Sequence, residues 1–329
     1  MNAILEVRNL KKNFDIPGGT LHAVDQISFT LAKGKTLGVV GESGCGKSTL
    51  GRILVGLLDA TDGQIIFQGR DITRVKKAQR KALRREMQMI FQDPLSSLDP
   101  RLCTMELIAE PLEIFKVCPT RAELEQRVRE LMDMVGISEH MMYAYPHELD
   151  GGRRQRIGIA RALALDPAFL VCDEPVSALD VSIQAQVLNL LRELQRARGL
   201  TYLFITHDLS VVKHISDDIL VMYMGQMVEE ASSKELFRTP MHPYTQGLLS
   251  AIPVPNIHHK RRRVIMEGEI TSPVNLKPGC RFAARCPHAC NRCRQEQPAL
   301  LELEPGHFVA CHLALELRGD AAAYENTAQ

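Results

Sequence analysis

The chain has 329 residues and a mass of 36.8 kDa, a size that suits one large domain and one smaller domain. Apolar residues make up 45%, and 40 Lys and Arg balance 39 Asp and Glu, which excludes a disordered or collagen-like chain and disfavours a general nucleic-acid binder. No apolar run is long enough to span a bilayer, and the start lacks a basic segment followed by an apolar one. We therefore expect a cytoplasmic globular protein.

The predicted elements alternate between strand and helix after a β-rich start. Strands are predicted at 4–7, 23–29 and 36–40, and a glycine-rich loop and a helix over 48–57 follow. A charged stretch rich in Met and Leu predicts a helical insertion at about 93–160. The alternation then resumes at 169–173, 182–198, 202–206, 209–215 and 218–223.

The composition shifts from about Pro253 towards Pro, His and Arg, including a basic run over 258–263. We place a domain boundary there, which predicts a first domain over 1–252 and a cysteine-rich extension over 253–329. The basic run is interpreted as a solvated linker face.

A phosphate-binding loop of the form G-x-x-x-x-G-K-[ST] follows the apolar strand at 36–40. Backbone N–H groups of such a loop close around phosphate oxygens, and the following helix N-terminus adds positive potential. Lys47 is expected to reach the β- and γ-phosphates and Ser48 to ligate Mg²⁺. The predicted nucleotide-binding residues here are Gly41, Glu42, Ser43, Gly44, Cys45, Gly46, Lys47, Ser48 and Thr49.

A second motif places two acids after the apolar run at 169–172. A buried strand would deliver Asp173 to the Mg²⁺ coordination shell, and Glu174 would polarise an attacking water. Together the two motifs predict a protein that hydrolyses a nucleoside triphosphate.

Further motifs specify the kind of nucleotide hydrolase. Gln92 follows a strand-like segment, His207 ends an apolar strand, and the remaining motifs are Leu149-Asp150-Gly151-Gly152-Arg153 and Ser177-Ala178-Leu179-Asp180. This order resembles the ATP-binding-cassette (ABC) ATPases over about residues 3–252. The resemblance implies an α/β P-loop fold with an antiparallel β subdomain, a helical insertion subdomain and a small Cys-rich C-terminal extension.

The resemblance also implies roles for individual residues. Gln92 would sense Mg²⁺ and water, His207 would contact the γ-phosphate, and Phe14 would stack on adenine. Asp180 would communicate across a dimer of cassettes. In the family, the segment that contains Asp150, Gly151 and Gly152 contacts the nucleotide of the other subunit.

Asp150 departs from the family, which has serine in the Leu-Ser-Gly-Gly-Gln signature. A carboxylate about 4 Å from the γ-phosphate would repel it by roughly 4 kcal/mol at an effective dielectric of about 20. One hypothesis is therefore an asymmetric dimer with one weakened site. The alternative is that the loop adjusts and Asp150 faces solvent.

Segments 92–101, 173–182 and 242–249 resemble the ATPase subunits of bacterial oligopeptide and dipeptide permeases, and segments 278–280 and 285–287 resemble the C-terminal extension of the same family. The resemblance implies a peripheral subunit on the cytoplasmic face of the inner membrane, with two transmembrane permease subunits and a second, paralogous ATPase. An extracytoplasmic solute-binding protein would act indirectly, and no nucleic acid is expected. The alternatives are an importer of nickel or another small solute, and a soluble ABC ATPase without a transport role.

Five of the nine cysteines lie in the last fifty residues, spaced C-x5-C-x3-C-x2-C-x17-C. Clustered cysteines in a reducing cytosol indicate metal ligands before disulfides. The family resemblance suggests that a [4Fe-4S] cluster is bound by Cys280, Cys286, Cys293 and Cys311. Zinc is the alternative metal, Cys290 is a rival ligand, and His288, His307 and His312 leave a mixed zinc site open.

Overall fold

The computed structural model describes residues 3–93, 97–252, 266, 268 and 273–317, and the side chains of 77 and 78 are not described. The described chain contains a four-stranded antiparallel sheet and an eight-stranded mixed sheet. The basic run at 258–263 lies outside the described residues, so the proposed boundary at 252 stays a prediction.

The antiparallel sheet has the order β2-β1-β4-β5. Its strands are β1 (Ala3–Ile16), β2 (Gly19–Ala32), β4 (Asp62–Phe67) and β5 (Arg70–Asp71). The first two strands form a long hairpin, whereas the sequence predicted two short strands. Several shifts of register interrupt their pairing, and each one breaks the simple alternation of apolar and polar residues that predicts a strand.

The mixed sheet has the order β11-β12-β10-β9-β3-β8-β7-β6. Its strands, in chain order, are β3 (Thr36–Val40), β6 (Met87–Ile90), β7 (Phe169–Asp173), β8 (Thr201–Ile205), β9 (Asp218–Tyr223), β10 (Gln226–Ser232), β11 (Leu301–Glu304) and β12 (His307–Val309). The five strands from β9 to β6 are parallel. Strands β3, β7 and β8 are buried along their whole length, as uniformly apolar runs predict.

Ten α-helices occur in the described part of the chain. They are α1 (Lys47–Leu54), α2 (Lys77–Glu86), α3 (Thr104–Ile114), α4 (Arg121–Met134), α5 (Gly151–Leu163), α6 (Val181–Arg198), α7 (Leu209–Ile215), α8 (Ser233–Arg238), α9 (Pro243–Ser250) and α10 (Asn291–Gln295). Helices α3, α4 and α5 pack around one apolar core, which forms the helical subdomain predicted at about 93–160. The predicted α/β fold with an antiparallel β subdomain is confirmed.

The C-terminal extension packs directly on the main sheet. Strand β12 pairs with β10, and β11 pairs with β12. Phe282 is buried edge-on against Tyr223 of β9 and Tyr244 of α9. No helix within the described ranges is both long and apolar enough to cross a membrane.

Candidate functional site

The predicted site residues meet at one edge of the parallel sheet. The phosphate-binding loop follows β3, Asp173 ends β7, Gln92 follows β6, and His207 comes two residues after β8. Because the strands are parallel, their carboxyl ends lie at the same edge. The topology therefore gathers side chains that are as far apart in sequence as residues 47 and 207.

Two glycines give the phosphate-binding loop its shape. Gly41 has φ +153°, and a Cβ there would lie 2.2 Å from the carbonyl oxygen of Met222. Gly46 precedes α1 with φ +107°, and a Cβ there would lie 2.0 Å from the carbonyl oxygen of Ala23. A side chain at either position would clash with backbone, so the loop depends on glycine at both.

Lys47 is buried and folds back over the loop. Its ammonium donates to the carbonyl oxygens of Gly41 at 2.7 Å and Glu42 at 2.9 Å. Cys45 is buried beneath it, and burial raises the pKa of its thiol. A buried protonated thiol is a poor nucleophile.

Ser48 and Asp173 are in direct contact. The Ser48 hydroxyl donates to Oδ1 of Asp173 at 2.7 Å. Burial raises the pKa of the Asp173 carboxyl, and the Ser48 hydrogen bond opposes that shift. A hydroxyl beside a buried carboxylate, both next to a phosphate-binding loop, is the oxygen-donor set that Mg²⁺ prefers.

Glu174 lies at the centre of a second group of contacts. Its Oε2 accepts a hydrogen bond from Nε2 of Gln92 at 2.9 Å and lies 3.2 Å from Nδ1 of His207. Glu174 also has φ +46°, a left-handed backbone conformation that is uncommon for a residue with a side chain. Such strain persists where neighbouring structure over-determines it, and it is concentrated at functional sites.

Asp150 and Asp180 are the N-cap residues of helices α5 and α6. Asp150 accepts a hydrogen bond from the Arg153 N–H at 2.8 Å at the start of α5. Asp180 accepts from the Ile183 N–H at 3.0 Å at the start of α6, and this bond lowers the pKa of its carboxyl. Asp and Ser are about equally good at this capping position, so Asp150 retains the capping function of a serine.

The two signature glycines allow helices α5 and α6 to approach closely. A Cβ on Gly152 would lie 2.7 Å from Cγ2 of Ile183, and one on Gly151 would lie 3.2 Å from a methyl of Leu179. The side chain of Asp150 is 58% exposed in the single chain. The segment is therefore a surface feature that a second molecule can reach.

Phe14 lies near the end of β1, opposite Leu21 of β2. The ammonium of Lys12 lies 4.9 Å from the centre of its ring. Its predicted stacking on adenine stays a prediction.

Four of the five clustered cysteines line one small pocket in the C-terminal extension. The four are Cys280, Cys286, Cys293 and Cys311. Burial and the charges of neighbouring thiols raise the pKa of Cys286 to about 11 and that of Cys311 to about 12. In the described part of the chain, no three His, Cys, Asp or Glu side chains are arranged to hold a metal ion.

Three of the rival ligands, Cys290, His307 and His312, differ in their position relative to this pocket. The thiol of Cys290 lies 3.5 Å from that of Cys293, outside the residues that line the pocket. His307 is buried with its Nε2 2.8 Å from Oε1 of Glu229. His312 lines the pocket, and its Nε2 lies 2.9 Å from the carbonyl oxygen of Glu296.

A phosphate-binding loop between a buried strand and a helix, facing an acidic pair at one edge of a parallel sheet, is the architecture of a P-loop ATPase. Comparisons with known proteins agree with this class. The ABC transporter family matches residues 24–177, and the family described as "Oligopeptide/dipeptide transporter, C-terminal region" matches residues 228–293.

Relatives match along nearly the whole chain. The oligopeptide transport ATP-binding protein AppF of Bacillus subtilis is 51% identical over 320 residues, which cover 94% of this chain and 97% of AppF. The oligopeptide transport ATP-binding protein OppF of Escherichia coli is 49% identical over 319 residues, which cover 94% of this chain and 95% of OppF.

Solved structures support the same fold. The dimeric ATP-binding cassette MJ0796 bound to ADP and Pi matches with a TM-score of 0.65 and 27% identity, covering 70% of this chain and 98% of that one. CbiO1 of Clostridium perfringens, part of the transporter complex cbiONQ, matches with a TM-score of 0.64 and 29% identity, covering 72% of this chain and 91% of that one.

The chain belongs to the ABC transporter family, among the ATP-binding subunits that carry the oligopeptide/dipeptide transporter C-terminal region. It is an ABC ATPase, and its nucleotide chemistry is that of ATP with Mg²⁺. The predicted membership of the family is confirmed.

Proposed function

We propose that this chain energises the uptake of oligopeptides or dipeptides by an ABC importer at the cytoplasmic face of a bacterial inner membrane. One observation carries the proposal: the Ser48–Asp173 and Gln92–Glu174 contacts lie at the sheet edge of a chain that also carries a peptide-transporter C-terminal region. Relatives named for oligopeptide transport support peptides as the solute, at about 50% identity over most of the chain.

We assign the chemistry to the residues at the sheet edge. Lys47 would turn from the loop carbonyls to the β- and γ-phosphates, while Ser48 and Asp173 would hold Mg²⁺. Glu174 would orient the attacking water, with Gln92 and His207 setting the position of its carboxylate. The contacts at 2.9 Å and 3.2 Å support this assignment, because they hold Glu174 from two sides.

The permease subunits would dock in a groove between the sheet and the helical subdomain. This groove has a volume of about 1420 Å³, and exposed apolar side chains of Leu57, Phe91 and Ile114 lie along it. Lys81 and Arg84 add positive charge to its lining, whereas Arg161 pairs with Glu110 of the same lining and Arg80 pairs with Asp59. Phe91 precedes Gln92, so an occupant of the groove would contact the segment that holds Glu174.

A second ATPase chain would complete the nucleotide sites. Asp150 supports a paralogous partner over an identical one, because a partner with serine in its signature would leave the site on this chain's Lys47 and Glu174 competent. An extracytoplasmic solute-binding protein would deliver the peptide to the permease and would not touch this chain.

We also propose that Cys280, Cys286, Cys293 and Cys311 hold a [4Fe-4S] cluster that braces the extension. The chemistry of the donor set supports the proposal, because four thiols are the ligands of such a cluster and these four line one pocket, although the described side chains are not arranged as metal ligands in this structure. Zinc is the other metal that four thiols accept. When bound, the group would supply covalent cross-linking of the segments around residues 280 and 311.

Metal analysis and spectroscopy of protein purified without oxygen test the cluster. We expect four irons and four sulfides per chain and a broad absorption band in the blue part of the visible spectrum. The Cys286→Ser variant should lose the iron, the sulfide and this band. Cys290→Ser is the matched control and should retain the iron. Stoichiometric zinc, or no metal, would contradict the proposal.

A pull-down from native membranes in mild detergent, with the tag at the N-terminus, tests the transport role. Recovery of two multi-span proteins and a second ATPase chain would support it, and peptide-stimulated ATP hydrolysis would identify the solute class. Stimulation by nickel or another small solute would favour a sister importer. Recovery from the soluble fraction alone, or with ribosomes or DNA, would overturn the transport role.

A further inference from the structure

The C-terminal extension reaches the phosphate-binding loop through one arginine. Arg285 donates two parallel hydrogen bonds to the carboxylate of Glu42, at 2.7 Å and 2.9 Å. Glu42 is the second residue of the loop. A two-pronged bond of this kind fixes direction as well as distance, so the loop and the extension are held in one relative orientation.

The pair is largely withdrawn from water. The side chain of Arg285 is 8% exposed and that of Glu42 is 19% exposed. The guanidinium also lies 5.9 Å from the centre of the Tyr223 ring. The hydrogen bonds to Glu42 raise the pKa of Arg285, so its charge is constant at any physiological pH.

The backbone of Glu42 is held at the same time. Its N–H donates to the hydroxyl of Tyr244 at 2.9 Å, and its carbonyl oxygen accepts from Lys47 at 2.9 Å. Three groups therefore hold Glu42, and one of them is the lysine expected at the ATP phosphates. A change in the position of Glu42 would change the position of Lys47.

We propose that Arg285 is a positioning residue for ATP binding. It neutralises a carboxylate inside the phosphate-binding loop and holds Glu42, whose carbonyl oxygen binds Lys47, in the position from which Lys47 turns to ATP. Through Arg285 the extension sets the affinity of the ATP site. This inference rests on the proposed role of Lys47 at the phosphates.

Without Arg285, the Glu42 carboxylate would stand uncompensated next to the phosphates of ATP. Like charges in a partly buried site repel, and the penalty falls on binding of the anion. Removal of the Glu42 charge should then reverse the effect of removing Arg285. A purely structural role of Arg285 predicts a loss of thermal stability without a change in the Kd of the folded chain.

Arg281 supplies a matched control in the same segment. Its guanidinium is 7% exposed, pairs with Asp25 and donates to the carbonyl oxygen of Met224. Arg281 thus attaches the extension to the core as Arg285 does, but with partners outside the phosphate-binding loop. Arg281→Ala should leave ATP affinity within about twofold of the wild-type value.

The experiment measures the Kd of a fluorescent ATP analogue and the KM for ATP on the full chain. Arg285→Ala should weaken both roughly tenfold, with kcat changed much less. Arg285→Lys should weaken ATP binding about threefold, since lysine keeps the charge but cannot form the two parallel hydrogen bonds. This variant replaces Arg285→Ala in the test if the alanine variant misfolds. Adding Glu42→Gln to Arg285→Ala should restore ATP binding to within about threefold.

Three results would overturn the proposal: unchanged ATP affinity in Arg285→Ala, an equal loss in Arg281→Ala, or no restoration by Glu42→Gln. Failure of the wild-type chain itself to bind the analogue would instead overturn the assignment of the ATP site. The two failures are therefore distinguishable.

Discussion

Nε2 of Gln92 donates a hydrogen bond of 2.9 Å to Oε2 of Glu174, the same oxygen that lies 3.2 Å from Nδ1 of His207. Gln92 directly follows Phe91, an exposed residue of the groove proposed to dock the permease subunits, and His207 follows β8. The carboxylate proposed to orient water is thus held by two segments, one that adjoins the groove and one that follows β8. Movement of either one would displace it.

Glu174→Gln should lower the rate of ATP hydrolysis by about 10² to 10⁴, because the amide cannot accept a proton from water. ATP binding should persist, since Lys47, Ser48 and Asp173 are untouched. Phosphate release and binding of a fluorescent ATP analogue are the two measurements. A variant that hydrolyses ATP at the wild-type rate would show that Glu174 does not have this role.

Asp150→Ser should raise the ATPase rate of the assembled dimer by roughly fivefold or more, because it removes a negative charge from the site that the signature segment closes. Helix α5 should keep its stability, since serine caps a helix about as well as aspartate. Asp150→Asn removes the charge but supplies no hydroxyl, so it separates the effect of the charge from the effect of the missing serine hydroxyl. Equal rates in all three proteins would support the alternative that Asp150 faces solvent in the dimer.

Glu229→Ala should lower the free energy of unfolding by about 3–5 kcal/mol. Glu229 is fully buried and accepts hydrogen bonds from the N–H groups of Met241 and His242, and it pairs with His307 of β12. Its removal leaves these groups without a partner. Thermal denaturation measures the loss, and Glu193→Ala on the exposed face of α6 should change stability little.

Glu230 should make stability depend on pH. Burial, with a smaller contribution from Asp218, raises the pKa of its carboxyl to about 7 from an ordinary value of 4.5. Between these values the folded chain holds a proton that the unfolded chain has released, so the free energy of unfolding falls as pH rises through this window. Above pH 7 the Glu230 carboxyl is ionised in the folded chain as well, and the free energy of unfolding carries the full cost of burying its charge.

Glu230→Gln should therefore be more stable than the wild type by about 1–3 kcal/mol at pH 8 and nearly equal to it at pH 4.5. Urea unfolding of both proteins across this range measures the difference. A difference that does not change with pH would show that the Glu230 carboxyl is not the titrating group.

The meeting of the candidate site residues at one sheet edge could be predicted from the sequence, because each motif follows the end of a strand. The loop at Gly41, the acids at 173–174 and His207 all follow uniformly apolar runs, and parallel strands bring such ends together. This prediction needed only the order of the motifs and the apolar character of the strands. It needed no distance between side chains.

The attachment of the extension could not be predicted in this way. Arg285 and Glu42 are 243 residues apart, and an ion pair between distant segments leaves no local pattern. Strands β11 and β12 are short, and β12 pairs with β10 across the proposed boundary. The only signal was that Arg285 precedes Cys286 in a segment that resembles the family extension.

Transport by the reconstituted complex is the direct test of the proposed ATP-driven uptake of peptides. The chain would be purified with its membrane partners and its second ATPase, placed in vesicles with the ATPase side outward, and supplied with ATP and a labelled oligopeptide bound to its receptor inside. We expect ATP-dependent movement of peptide out of the vesicle lumen, lost in Glu174→Gln while the complex stays assembled. Peptide movement that is equal with and without ATP, or unaffected by Glu174→Gln, would contradict it.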